Sequence, residues 1–280
     1  GRALDGYGII QVGYNYLDAS KVDEAAIIGG VDQSTLEPSG LELINSVFPR
    51  LRVVPGTVIA PHYSAHSAVA HVMKAKVKNI NGVFNAIAIA DLKKYQYESE
   101  EWQILNYQQA VQAKEKNGLS DTHLITAWPM VSLGGTRYHL SSHLAALMQI
   151  TDQEFGGGFP NHSPSNKTLA ADSAVLEDGQ EINMGVDQAE YVNSNGIVTA
   201  INWIGGWKAW GNETSVFPAN TDVKDRFIAS RRMFNYIGNT LVTTYWSRLD
   251  YPLNKKQVET ITDSSNDWLN SLTVNQTLLG

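Results

Sequence analysis

The period of the apolar positions changes along the chain, and each change marks an element. "VFNAIAIAD" (83–91) and the middle of "THLITAWP" (122–129) are nearly continuous apolar runs. Runs of that length and density predict strands covered on both faces. "YGIIQVG" and "AAIIGG" near the N-terminus predict two further strands. "RVVPGTVIAP" (52–61) predicts another, with "TVIA" as its firm part, because a proline inside a strand pattern pushes it to an edge or a late start. Between these runs the period turns helical. In "SGLELINSVFP" (39–49), Ser39 or Gly40 can cap, Leu41, Ile44 and Phe48 share a face, and Pro49 predicts the stop. "SAHSAVAHVMKAKVKNI" predicts a helix from a cap at Ser64. A polar helix over about 99–117 ends at Asn117-Gly118, and "RYHLSSHLAALMQ" predicts one more. Repeated strand–helix alternation predicts an α/β fold: a mainly parallel sheet with helices on both faces.

Residues 152–186 break this rhythm. The segment is glycine-rich and polar without a period, and ordered loops of that length are usually functional. After a short helix in "DQAEYVNSNG", the runs "IVTAINWI" and "WKAWGN" flank Gly205-Gly206. A glycine pair between strand-like runs predicts a β-hairpin. With those glycines as the turn, Ile204 opposes Trp207, Trp203 opposes Lys208 and Ile201 opposes Trp210. One face then carries Ile201, Trp203, Lys208 and Trp210, whose tryptophans are most simply packing residues. Beyond it lie two C-terminal helices. In the first, Phe227, Phe234 and Leu241 recur every seven residues and Ile237, Val242 and Tyr245 widen the stripe, which predicts a core-facing face. The second starts near Asn254 and carries Val258, Ile261, Trp268, Leu269 and Leu272.

Composition narrows the function classes. The chain has 280 residues, 43% hydrophobic and 18% charged, enough to bury a large core without a metal or disulfide. It has no cysteine, which removes disulfides and thiolate zinc sites within it. Net charge is −7 and no Lys/Arg run stands out, so the basic face of a primary nucleic-acid binder is missing. No apolar run approaches the ~20 residues of a membrane-spanning helix, and "GRALDGYG" lacks the apolar centre of a signal peptide.

Chemistry candidates are sparse. His62 and His66, and His139 and His143, have the four-residue spacing of helical metal ligands. Neither pair carries the glutamate of H-E-x-x-H, and structural histidines are the simpler reading. No G-x-S-x-G elbow is present. Asp91 ends a buried strand, where α/β enzymes place catalytic carboxylates; the plainer reading is a carboxylate capping "LKKY" or a neighbouring amide. "GGT" (134–136) completes no phosphate-binding motif and reads as a tight turn. Arg231 and Arg232 lie beside the apolar stripe; intramolecular pairing is their default and a partner subunit the sharper alternative.

Several stretches, in a fixed order, resemble the contractile-tail sheath proteins of bacteriophages and phage-like injection particles: "SGLELINSVFPRLRVVPGTVIAP", "NAIAIADL", "LITAWPMV", "SPSNKTL", "AEYVNSNGIVTAINWIGGWKAWGNET", "RRMFNYIGNTLV" and "WLNSLTVNQTLLG". The series, running from about residue 30 to the end, is specific in combination. The resemblance implies an α/β sheath core, subtilisin-like in fold and without peptidase activity, over 31–280, with 1–30 as the end of a preceding β-rich domain or linker. It implies a structural subunit with no catalytic residues, cofactor or metal. Its partners would be identical subunits, a tail tube protein, and baseplate and tail terminator proteins, with neither direct nucleic-acid contact nor membrane insertion. It would sit in a virion tail assembled in the bacterial host cytoplasm. The N-terminal arm and the C-terminal linking segment of such proteins have no counterpart here, which predicts a well-folded fragment unable to polymerise. The 155–186 loop, Trp203, Lys208, Trp210, Arg231 and Arg232 are the expected contact residues. Two other classes stay open on the residues alone: an active α/β hydrolase or peptidase, and a carbohydrate-binding module using the tryptophan hairpin.

Overall fold

The computed structural model describes residues 13–14, 18, 21–97, 100–252, 254–274 and 276–279. "YGIIQVG" falls almost wholly outside them. "AAIIGG" forms helix α1 (Glu24–Ile28) rather than a strand, capped by Asp23, whose carboxylate accepts from the Ala26 amide. Strands β1 (Gly30–Val31) and β2 (Pro38–Ser39) pair antiparallel beside it. Ile27 and Ile28 pack on the main core. Burial along one side, with an N-cap, outweighed the strand propensity of the paired isoleucines.

Helix α2 (Ile44–Leu51) contains Pro49 instead of stopping at it. The proline cannot donate to the carbonyl of Asn45, and that carbonyl accepts from Asn81 Nδ2 at 2.6 Å instead. The helix ends at Arg52, which is left-handed at φ 58°. Next come β3 (Thr57–Ile59), a short turn over Tyr63–Ala65 and helix α3 (Ser67–Lys76). Ser64 does not cap α3, because its hydroxyl is engaged elsewhere. Strand β4 (Ile87–Asp91) is buried at all five positions.

The helix predicted from 99 begins later. Residues β5 (Lys94–Tyr97) and β6 (Glu100–Gln103) pair as a hairpin, and α4 spans Tyr107–Lys116. Asn106 is the true cap, accepting from the Gln109 amide at 2.9 Å while Gln109 accepts from the Leu105 amide at 2.7 Å. Then follow β7 (Leu124–Ala127), β8 (Met130–Leu133), β9 (Thr136–Tyr138) and α5 (Leu140–Glu154). Gly134-Gly135 makes the tight turn between β8 and β9, so Arg137 and Tyr138 are strand rather than helix. Inside the aperiodic segment, β10 (Ser173–Val175) pairs with β8. The remainder is α6 (Val186–Asn193), β11 (Ile197–Trp203), β12 (Gly206–Trp210), α7 (Val223–Arg226), α8 (Ile228–Tyr245) and α9 (Lys255–Val274).

The main sheet has the order β12-β11-β7-β4-β3, parallel except for β12. The predicted mainly parallel sheet with helices on both faces is therefore present. It grows in one direction, and α3, α4 and α6 pack on one face, as crossovers of a single hand require. Helix α5 covers the opposite face. The two faces are encoded in "AIAIA": Ile87 and Ile89 meet α5 residues Leu144 and Met148, while Ala86, Ala88 and Ala90 admit α3 and α4 closely.

The hairpin register differs from the expectation by two positions. Trp203 pairs with Gly206, Ile201 with Lys208 and Thr199 with Trp210, so the loop is Ile204-Gly205. Gly205 (φ 83°) and Gly206 (φ 95°) both take the left-handed backbone that other residues avoid. A slip of two leaves every side chain on its expected face. The outer edge of β12 is covered by 166–169, through Asn166 N–H to Ala209 O (2.7 Å) and Leu169 N–H to Trp207 O (2.9 Å).

The heptad stripe of α8 is not its core face, for Phe234 is 49% exposed. The inward residues are Ile228, Met233 and a polar set. Asn235 Nδ2 donates to Ala86 O (3.2 Å), and Asn239 exchanges bonds with the backbone of Asn85 at 2.9 and 2.8 Å. Those groups just precede β4 and lack strand partners there, so amide side chains satisfy them better than apolar ones would.

Candidate functional site

Two places were singled out by sequence, and the structure separates them. The first surrounds Asp91. Strand β4 carries this carboxylate to the carboxyl end of the sheet, where the turn at Tyr63–Ala65 and the first residues of α5 converge on it. Ser64 Oγ donates to Asp91 Oδ2 (3.1 Å), Ser141 Oγ donates to the same oxygen (2.5 Å), and the Ser141 amide donates to Oδ1 (2.9 Å). The capping role expected of Asp91 is real, although the amide belongs to α5 rather than to "LKKY". Burial raises the Asp91 carboxyl above the usual carboxylate range, against the pull of the Ser141 bond and of His139. His139 stands with Nδ1 3.7 Å from Asp91 Oδ2, and burial holds the imidazole below its usual range. That Nδ1 is buried without a hydrogen-bond partner.

These residue types are those of a nucleophilic triad, but the order is wrong. A serine nucleophile must give its proton to a histidine that a carboxylate orients. Here both hydroxyls are spent on the carboxylate and the imidazole hydrogen-bonds to neither. Ser64 is 1% exposed and Ser141 fully buried, so no substrate atom reaches them. The neighbouring cavity, between Trp128, Met130, His139 and Leu176, holds about 30 Å³, the space of about one water molecule. The cluster is a fastener joining β4, the 63–65 turn and α5.

The histidine pairs are divided. His66 meets Glu24 at 2.8 Å, and the rings of His62 and His139 meet edge to face at 5.9 Å. Among the described residues no group of three His, Asp or Glu is placed to hold a metal ion.

The second place is the tryptophan hairpin. Trp207, which the expected face omits, is the one that enters the core; it is 8% exposed and donates from Nε1 to Asp172 O at 2.9 Å. On the other face Trp203 is 54% exposed, Trp210 is half-buried, and Lys208 Nζ donates to Thr168 Oγ1 at 2.8 Å. The loop residue Ile204 is 83% exposed. The rings are thus split, Trp207 on one face and Trp203 and Trp210 on the other. Both arginines take intramolecular partners. Arg231 pairs with Asp225, and Arg232 grips Asp152 with two bonds, one of 2.9 Å from Nη1 to Oδ1. No hydrogen bond or ion pair among the described residues joins the hairpin to these arginines.

Sequence reasoning missed a groove along α8. Phe48, Pro49, Val83, Phe84, Val242 and Trp246 line an apolar hollow of about 430 Å³. A more polar hollow of about 260 Å³ continues it past Thr243 to Asn239 and Arg232. The only hint in the sequence was the alternation of Asn, Thr and apolar residues along one helical stripe.

The comparisons with known proteins find the same mixed α/β fold, with its mainly parallel sheet, in contractile tail sheath structures. No family model matches the chain. It is 24% identical over 269 residues to a protein described as a prophage major tail sheath protein of Pseudomonas aeruginosa (strain UCBPP-PA14), covering 94% of this chain and 64% of that one. It superposes on the contracted helical sheath of the anti-feeding prophage with a TM-score of 0.61 at 14% identity, covering 88% of this chain and 60% of that one. A sheath tail protein of Desulfitobacterium hafniense gives 0.54 at 12% identity, over 83% and 48%. The chain spans less than two thirds of the length of each. The resemblance read from the sequence holds in both comparisons, and these relatives are structural tail proteins rather than enzymes.

Proposed function

We propose that this chain is the core of a contractile tail sheath subunit. Identical copies polymerise around a tail tube, anchored by baseplate and terminator proteins. They contract to drive the tube through a target envelope, for genome ejection or injection. The subunit resides in a tail assembled in the host cytoplasm, touching neither nucleic acid nor membrane. The observation that carries this reading is the match of 88% of the chain to a contracted sheath subunit. The buried serines at Asp91 support it, because they weigh against a peptidase on the same scaffold. We place the sheath core at 31–280, with 1–30 leading into it.

Subunit contacts involve the 155–186 segment and the hairpin face of Trp203, Lys208 and Trp210. Trp203 has the largest free surface of these three. Arg231 and Arg232 act indirectly, by fixing α8. The test is electron microscopy of the full-length protein expressed alone: hollow cylinders are expected, and a persistent monomer sinks the reading. Lys208→Glu and Trp203→Ala are expected to weaken assembly without altering the fold.

A further inference from the structure

The exposed tip of the hairpin and the apolar groove beside α8 lie at diagonally opposite corners of one sheet. The tip, Trp203 and Ile204, follows the carboxyl end of β11 on the β12 side. The groove is walled by α2 and by Val83 and Phe84, just before the amino end of β4, toward the β3 side. With strands spaced by about 4.8 Å, the two edges of the five-stranded sheet are roughly 19 Å apart. Neither feature has a partner among the described residues that buries it: Trp203 is 54% and Ile204 83% exposed, while Trp246 at the groove's rim is 59% exposed.

We propose that the Trp203-Ile204 tip of one copy inserts into the α2–α8 groove of a second copy. Size, chemistry and placement favour that occupant. The groove's volume of about 430 Å³ is of the order of a tryptophan and an isoleucine side chain together. Its lining is mostly apolar, through Phe48, Phe84, Val83 and Val242, with Asn81 and Thr243 beside them. Arg52 stands at its margin, with its guanidinium 6.0 Å from the Phe48 ring. A guanidinium there favours an incoming indole face. Tip and groove are different surfaces at opposite corners, so the contact is head-to-tail and leaves a free tip and a free groove on every pair. Such contacts build rings or open helical arrays rather than closed dimers. The tip exposes roughly 300 Å², far below the ~1,200 Å² of a stable pairwise interface. The contact is therefore weak alone and effective only when an array repeats it.

This inference rests on the sheath reading but fails separately from it. The 280 residues contain no cysteine, so introduced pairs are read cleanly in a full-length chain in which any cysteine outside them is replaced by serine. Ile204→Cys and Thr243→Cys chains are mixed and oxidised, both as cylinders and as concentrated soluble protein. Covalent dimers are expected from the mixture, with each chain alone giving at least tenfold less, and the doubly substituted chain is expected to give a ladder. Cylinders without that cross-link overturn the contact and leave the sheath reading intact. The cross-link without cylinders overturns the sheath reading and leaves the contact. Dominant pairing of Ile204→Cys with itself means a symmetric occupant and overturns the proposal, as does absence of the cross-link in both preparations. The second arm is Trp203→Ala with Ile204→Ser, exposed changes that keep the fold. It is expected to raise the concentration needed for assembly at least tenfold, and an unchanged value overturns the proposal.

Discussion

The central strands and the C-terminal helices are held by different physics. In β4 all five residues are buried, and what holds the strand is apolar area on both faces plus the ladder to its neighbours. Helix α8 is docked largely by polar bonds, with Arg232 on Asp152 and two asparagines on the backbone of 85–86. Helix α9 is held more lightly still: of its twenty residues only Leu272 is buried, and Val258 is 50% exposed. Hydroxyls tie it to α8, through Tyr245 OH to Ile261 O at 3.2 Å and Ser265 Oγ to Tyr245 OH at 2.9 Å. A layer fixed by directional bonds keeps its geometry only while every bond is made, whereas apolar packing degrades in proportion to what is removed.

The largest effect should come from breaking the polar docking. Arg232→Ala leaves Asp152 buried without its partner and is expected to cost about 3–5 kcal/mol in chemical unfolding. Arg232→Met with Asp152→Leu should recover most of that loss; a double variant as unstable as the single would show that the pair is not what docks α8. Ile89→Ala, at a fully buried site in β4, should cost about 2–5 kcal/mol. A loss similar to that of an exposed α9 residue would erase the contrast between the two regions.

The fastener at the sheet's end should respond in between. Asp91→Ala strands the Ser64 and Ser141 hydroxyls and the Ser141 amide, for a loss of about 1–3 kcal/mol. Asp91→Asn keeps an acceptor for that amide and should lose less. Equal losses would mean that the hydrogen bonds at this position carry no weight.

Lys114 sharpens the comparison through pH. It is buried in α4, donates to Phe217 O at 2.7 Å and to Asn195 O, and burial lowers its pKa to about 8. Because the native ammonium loses its proton more readily than the unfolded one, the unfolded chain binds more protons between pH 8 and about 10.5. Stability is therefore expected to rise with pH across that window from this group. The part of the slope due to Lys114 should vanish in Lys114→Met, and identical melting profiles in the two proteins would refute it. The smallest effect belongs to α9: Val258→Ala should stay within about 0.5 kcal/mol, while α9 amides exchange with solvent well before those of β4.

What could be read from the residues follows the same division. "AIAIAD" and "LITA" declare buried strands because their neighbours on both faces must be apolar whatever those neighbours are. The glycine pair declared a hairpin and, because side chains alternate with period two, fixed which residues share a face even though the register slipped by two. Pro49 misled because the Asn45 carbonyl it leaves unpaired is satisfied by Asn81, thirty-six positions along the chain, and no local pattern reports a partner that far away.

The alternation of strands and helices, the parallel sheet and the lack of a nucleophile elbow are legible in the order of the residues alone. It took the folded chain to show that Ser64 and Ser141 spend their hydroxyls on Asp91, that Trp207 rather than Trp203 or Trp210 enters the core, and that α8 turns asparagines inward. The reason is physical. A period of two or of 3.6 is a property of the local chain, whereas the partner of a polar group is set by whichever segment folding brings within about 3 Å.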